Sequence, residues 1–217
     1  MVVYLHSHPI DFIYIIIREL EMPLKAGSTT TNPKTGSLWK VIEGNQETGG
    51  KGFTLEVTCP SGAKQDVLEH MHLNWVEEFE IVSGSAKYRL NGVEKSAKAG
   101  DRIVMPPNQQ HIHPWNVGKG KMVYRQIARF ETPDPNAFQD VIGTFFTLFG
   151  LAGEGKTAEN GLPKNLFQFA VTLKTLTRHK GYDAAVPVFV QNLTASTLGT
   201  IAVWLGYRAV YPRYLND

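Results

Sequence analysis

From Leu38 to Phe130 the chain is a succession of short runs cut by turn formers, and this spacing constrains the fold more than any other feature. Phe53-Thr54-Leu55-Glu56-Val57-Thr58 alternates with period two, as a strand with one buried face does. Glu80-Ile81-Val82 stops at Ser83-Gly84, and Ala86 to Leu90 runs into Asn91-Gly92. Asn-Gly tolerates positive φ at both positions and marks a hairpin. Arg102-Ile103-Val104-Met105 ends at Pro106-Pro107, and Lys121 to Phe130 reads as another strand. Short strands at this spacing predict an antiparallel sandwich or barrel.

After Phe130 the period becomes helical. Asp134-Pro135 offers an N-cap followed by proline at the first helical position. Phe138, Val141, Ile142, Phe145, Phe146 and Phe149 then share one face. Gly150 to Gly161 reads as a break. A second helix is predicted from Pro163, closed by Arg178-His179-Lys180, with Gly181 as its left-handed cap. A third is predicted from about Pro187 to Leu205. Residues 24–36 are polar and rich in turn formers and read as a linker. The expected organisation is an N-terminal extension and linker over 1–36, a β-barrel over 37–130 and a helical C-terminal extension over 131–217.

Composition narrows the function. With 22 basic and 20 acidic side chains among 217 residues there is no basic excess of the kind nucleic acid selects, so no nucleic-acid partner is expected. One cysteine, Cys59, excludes an internal disulfide framework and any multi-cysteine metal site. The apolar stretch Phe12 to Ile17 lacks the basic start, length and cleavage site of a secretory signal, which makes a cytoplasmic location the expectation. His6 and His8 have no nearby carboxylate and read as surface residues. Ala184 to Tyr207 carries no charge, yet its glutamine, asparagine, serine and threonine residues make it a poor membrane span. The expectation is a helix packed on the barrel or on the partner of a homodimer. Membrane contact through the tail Tyr207 to Tyr214 is the less favoured reading.

Four of the seven histidines fall between residues 70 and 113. His70-Met71-His72 places two imidazoles on one face of a strand. Glu77 follows five residues later, and His111 opens another strand after a proline turn. Glu78 is one residue out of register and would face the other side of the sheet. Three imidazoles and a carboxylate suit Fe, Mn, Ni, Cu or Zn as a divalent ion. A six-coordinate ion would keep two positions open, unlike a closed, sulfur-rich structural zinc site. His113, on the same strand face as His111, is a candidate supporting contact, substrate contact or alternative ligand.

These residues resemble a known family. His70-x-His72-x4-Glu77-x6-Gly84 is similar to the first conserved motif of the cupins, and Gly100-x5-Pro106-x4-His111-x4-Asn116 to the second. Fifteen residues separate Gly84 from Gly100, as in compact cupins. The resemblance covers roughly residues 50–130. It departs at Lys64 and Asn108, where the family pattern has glycine, and at Asn116, one residue further from His111 than usual.

The resemblance implies a mainly β cupin-type jelly-roll barrel with a C-terminal α-helical extension. It implies one divalent metal ion per chain, held by His70, His72, Glu77 and His111 at the barrel mouth. It also implies dioxygenase, isomerase or decarboxylase chemistry on a small organic molecule. Glu77 is the expected catalytic group, serving as ligand and proton shuttle. The alternative is a binding or sensing module without turnover.

Overall fold

The computed structural model describes residues 24–215. The apolar stretch Phe12 to Ile17, His6 and His8 lie outside the described residues. Among the described residues, eleven strands form two antiparallel sheets. The strands are β1 (Thr29–Thr31), β2 (Leu38–Glu43), β3 (Gly52–Cys59), β4 (His70–His72), β5 (Trp75–Ser83), β6 (Ser85–Leu90), β7 (Val93–Lys98), β8 (Arg102–Met105), β9 (His111–Asn116), β10 (Met122–Phe130) and β11 (Gly181–Asp183). One sheet runs β1-β2-β3-β10-β5-β8 and the other β11-β4-β9-β6-β7. A short helix, α1 (Asn45–Thr48), joins β2 to β3.

The period-two runs predicted from sequence are strands, and their apolar faces meet inside. Phe53, Leu55 and Val57 of β3 are buried with Phe79 and Ile81 of β5 and Met122 and Tyr124 of β10. Asn91 and Gly92 have φ of 50° and 75°, the left-handed pair that the β6–β7 hairpin requires. Asn108 also sits at positive φ, 62°, and so replaces a glycine without changing the turn.

The segment read as a linker is partly strand: β1 pairs Thr29–Thr31 with Leu38–Lys40. Its turn formers serve a tight return instead, with Gly36 N–H donating to the Asn32 carbonyl.

The helical extension is packed into the barrel. Helix α2 (Ala137–Gly153) lays Phe138 against Phe53, and Phe145 and Phe149 against Trp39, so it covers the inward face of the six-stranded sheet. Asp134 Oδ1 accepts from the N–H groups of Asn136 and Ala137 and so caps α2 from just outside. The helix continues past the predicted break at Gly150, because the glycines of its outer face are needed for packing. A Cβ at Gly143 would lie 2.9 Å from Val210, and one at Gly150 2.2 Å from the Tyr214 ring. Those glycines form the groove into which the C-terminal segment fits.

Helix α3 (Leu166–Arg178) starts at an Asn165 cap rather than at Pro163; Asn165 Oδ1 accepts from Phe167 and Gln168 N–H. Lys180, not Gly181, takes the left-handed position after it, with φ of 63°. Gly181 instead opens β11, which pairs with β4. The predicted third helix is two, α4 (Val188–Ser196) and α5 (Leu198–Trp204), broken at Thr197 with φ −98° and ψ −83°. Hydroxyls of Ser196 and Thr197 both donate to the Leu193 carbonyl, the local competition that interrupts helices at such residues. No helix among the described residues is long and apolar enough to cross a membrane. Phe189 and Trp204 of this uncharged stretch are 71% and 82% exposed.

Candidate metal centre

The histidines converge because the strands that carry them are neighbours. His70 of β4 stands opposite His111 of β9. Their rings are 4.4 Å apart, and those of His70 and His72 are 5.2 Å apart on the shared strand face. Glu77 comes from β5 in the facing sheet. It is inward and 2% exposed, whereas Glu78 pairs outside with Arg102 and Arg129. One residue of register therefore decides which glutamate enters the barrel.

Glu77 is the hub. Its Oε2 lies 3.0 Å from His113 Nε2 and 3.4 Å from Nε2 of both His72 and His111. Its Oε1 accepts from Gln126 Nε2 at 2.8 Å. His70, Glu77, His111 and His113 offer one ligand atom each within 4.8 Å of one another. His72 stands beside this group, stacked at 4.3 Å on Trp75. Three of the four residues expected from sequence, His70, Glu77 and His111, fall in this group; His113 completes it in place of the expected His72, which stands beside it.

The protonation pattern suits metal. His70 Nδ1 lies 2.8 Å from the Leu68 carbonyl and His111 Nδ1 2.9 Å from the Gln109 carbonyl. Each Nδ1 therefore carries the proton and leaves Nε2 bare, the arrangement that orients metal-binding imidazoles. His111 Nε2 and both ring nitrogens of His72 are buried without hydrogen-bond partners among the described residues. Such atoms cost free energy unless something else satisfies them. Burial, reinforced by the neighbouring imidazoles, pushes the His70 pKa well below its ordinary value; burial likewise lowers that of His72, against the pull of Glu77. Burial also works against the charge on Glu77. It is outweighed by the facing His72 and His113 and by the hydrogen bond from His113 Nε2, which hold the carboxyl well below the usual range. A carboxylate held in its charged form beside His70 and His72, whose protonation burial disfavours, suits a divalent cation. Ligands about 2.1 Å from an ion lie at most about 4.2 Å apart, so roughly half an ångström of contraction closes the set.

The site lies in a cavity of about 1010 Å³ between the barrel mouth and helices α2 and α3. A two-sheet antiparallel jelly roll thus places a His-x-His strand, a facing glutamate and a third histidine strand in its mouth. This is the jelly-roll arrangement that the resemblance of the two motifs implied. Trp75, Phe79, Met105 and Tyr124 of this barrel are buried as interior residues, while Tyr88 and Trp115 are half-buried. Cys59 is buried, which pushes its thiol up to about 12 and makes it inert.

Two contributors were not singled out from sequence. Gln126 anchors Glu77; its signal is a polar residue at an inward position of β10, between Tyr124 and Ala128. Strand β11 holds β4 in place from the far side.

No family model matches the chain, and no curated protein matches it. Solved structures similar to it include one described as a predicted oxalate decarboxylase from Thermotoga maritima, at 18% identity and TM-score 0.43. That match covers 52% of this chain and 96% of that one. An RmlC-like cupin from Shewanella frigidimarina matches at 17% identity and TM-score 0.38, covering 48% and 82%. The cupin domain of Cnp3 from Schizosaccharomyces pombe matches at 13% identity and TM-score 0.40, covering 47% and 67%.

Proposed function

We propose that this chain is a metal-dependent enzyme acting on a small organic molecule, with one divalent ion per chain. The ligands are Glu77, His70 and His111, with His72 or His113 as the remaining imidazole. The observation that carries the reading is the buried, ionised Glu77 surrounded by four imidazoles at the base of a cavity large enough for a substrate. When bound, a divalent ion at this centre supplies Lewis acidity to a substrate oxygen. The chain's own residues do the rest. Gln126 fixes Glu77 Oε1, so that Oε2, which faces His113, His72 and His111, is the oxygen that would take a proton from the substrate and return it. Trp75 and Phe79 flank His72 and His113 and keep bulk water away. The reaction classes this supports are oxidative cleavage with dioxygen, isomerisation through an enolate, and decarboxylation.

The test loads the purified protein with iron(II), manganese(II) or nickel(II) in turn and offers it hydroxy-ketones, β-diketones and β-keto acids. Oxygen uptake, carbon dioxide release and isomer content are followed in parallel. Turnover that vanishes in Glu77→Gln supports the reading. Saturable binding of these compounds with no product in any channel contradicts it and identifies a sensing module instead.

A further inference from the structure

The cavity has a polar end at the histidine cluster and an apolar wall along two helices. At its base lie His70, His72, Glu77, His113 and Gln126. Trp75 Nε1 and Gln126 Oε1, on two residues of the same cavity, are buried with no hydrogen-bond partner among the described residues. Away from this end the wall formed by the helices is mostly apolar, while Lys64, Asp66, Glu69, Arg89 and Asp183 line other parts of the cavity. Helix α2 contributes Ile142, Phe145 and Phe149, and α3 contributes Phe169, Leu173 and Leu176, with Thr172 as a polar interruption.

Phe145, Phe169, Leu173 and Leu176 are only half-buried although they line a cavity facing the barrel. Well-packed helices bury such side chains completely. Among the described residues they border open space and lack the contacts that apolar atoms on the far side would supply. Leu68, Val186 and Val190 also line the cavity and are exposed at the surface, so an apolar lining extends to solvent.

We propose that the cavity binds a compound with an elongated apolar body and a single oxygen-bearing head. The body lies along α2 and α3, and the head accepts from Trp75 Nε1 beside the histidine cluster. The position of the head rests on the metal-centre reading, whereas binding of the body does not. Sugars and short dicarboxylates would leave the helical wall unfilled. The helical extension is therefore the element that selects substrate, and the barrel carries the chemistry.

The probes are straight-chain carboxylates from hexanoate to dodecanoate, titrated calorimetrically into the metal-loaded protein, with oxalate and glucose 6-phosphate as polar comparators. Affinity is expected to rise about fourfold per added methylene, the increment for burying one CH2, until the cavity is full. Leu173→Trp, which fills the wall, is expected to abolish the rise, and Phe169→Ala, which enlarges it, to move the plateau to longer chains. The second variant decides the matter if the first does not fold. A rise that persists after the metal is removed with a chelator supports the apolar-body site even if the metal reading fails. The proposal is overturned if affinity does not depend on chain length, if oxalate or glucose 6-phosphate binds more tightly than decanoate, or if folded Leu173→Trp binds decanoate as the wild type does. The last result would place the probe elsewhere, such as on the exposed face of α4 and α5.

Discussion

Gly181 stands opposite His72 in the register of β11 and β4, so the helical extension is paired with the strand that carries the His-x-His pair. Flanking bonds from Leu73 N–H to the Lys180 carbonyl and from Ala184 N–H to the Glu69 carbonyl continue the ladder. The extension also supplies Phe138, Ile142 and Phe146, which are buried in the common core. Deleting residues 184–217 removes α4, α5 and the side chains that fill the α2 groove. The expected outcome is a fall in melting temperature of about 10 °C or more and lower metal content, read by calorimetry and elemental analysis. A truncated protein that melts like the full chain would show that the extension is a separable appendage.

His179 joins the two main helices. Its Nδ1 lies 2.9 Å from Asp134 and its Nε2 2.7 Å from Asp140, with Arg178 a further 3.7 Å from Asp140. Both ring nitrogens can donate only if the imidazole is protonated. Burial works against that charge, but the two carboxylates outweigh it and raise the pKa. A raised folded-state pKa gives stability that is complete below the ordinary value of about 6.5 and is lost as pH rises through the raised one. His179 therefore contributes more stability at pH 6 than at pH 8, opposite in sign to the buried His70 and His72, and His179→Gln should remove this contribution at a cost of about 1–2 kcal/mol at the lower pH. Equal slopes in urea titrations of the two proteins would contradict this.

Gly150→Ala forces a Cβ to within 2.2 Å of the Tyr214 ring. Overpacking of this kind costs about 1–3 kcal/mol. In the double variant with Tyr214→Ala the added methyl has room, so the effect of Gly150→Ala should nearly vanish there. A double-mutant cycle that finds additive effects would place the cost elsewhere.

Gln126→Leu removes the donor to Glu77 Oε1 while nearly keeping the shape of the side chain. Metal affinity is expected to fall about 10–100-fold, as it does when a group that orients a ligand is lost, with the fold retained. Competition with a chromophoric chelator reads this directly, and unchanged affinity would remove Gln126 from the centre.

Much of the barrel was legible because a half-buried strand writes its burial into the sequence with period two. Glu77 and Glu78 show how sharp that signal is, since one residue separates the barrel interior from a surface ion pair. The convergence of His70 and His72 follows from the same rule. Strand β11 was not legible, because three residues after a helix carry no period and their partner lies more than a hundred positions away. Nor was the break at Thr197, where hydroxyls rather than a proline or glycine end the helix. The involvement of His113 was legible as a shared face with His111. Its closeness to Glu77 was not, since that depends on how the two sheets approach.

The most direct test of the central claim is the metal content of protein purified without an affinity tag, measured by elemental analysis beside Glu77→Ala, His72→Ala and His113→Ala. The account predicts about one iron, manganese, nickel, copper or zinc ion per wild-type chain and almost none in Glu77→Ala, with the two histidine variants showing which imidazole completes the set. Trace metal in the wild type even after reconstitution, or the same content in Glu77→Ala, would contradict it and leave a jelly-roll barrel whose histidines only line a ligand cavity.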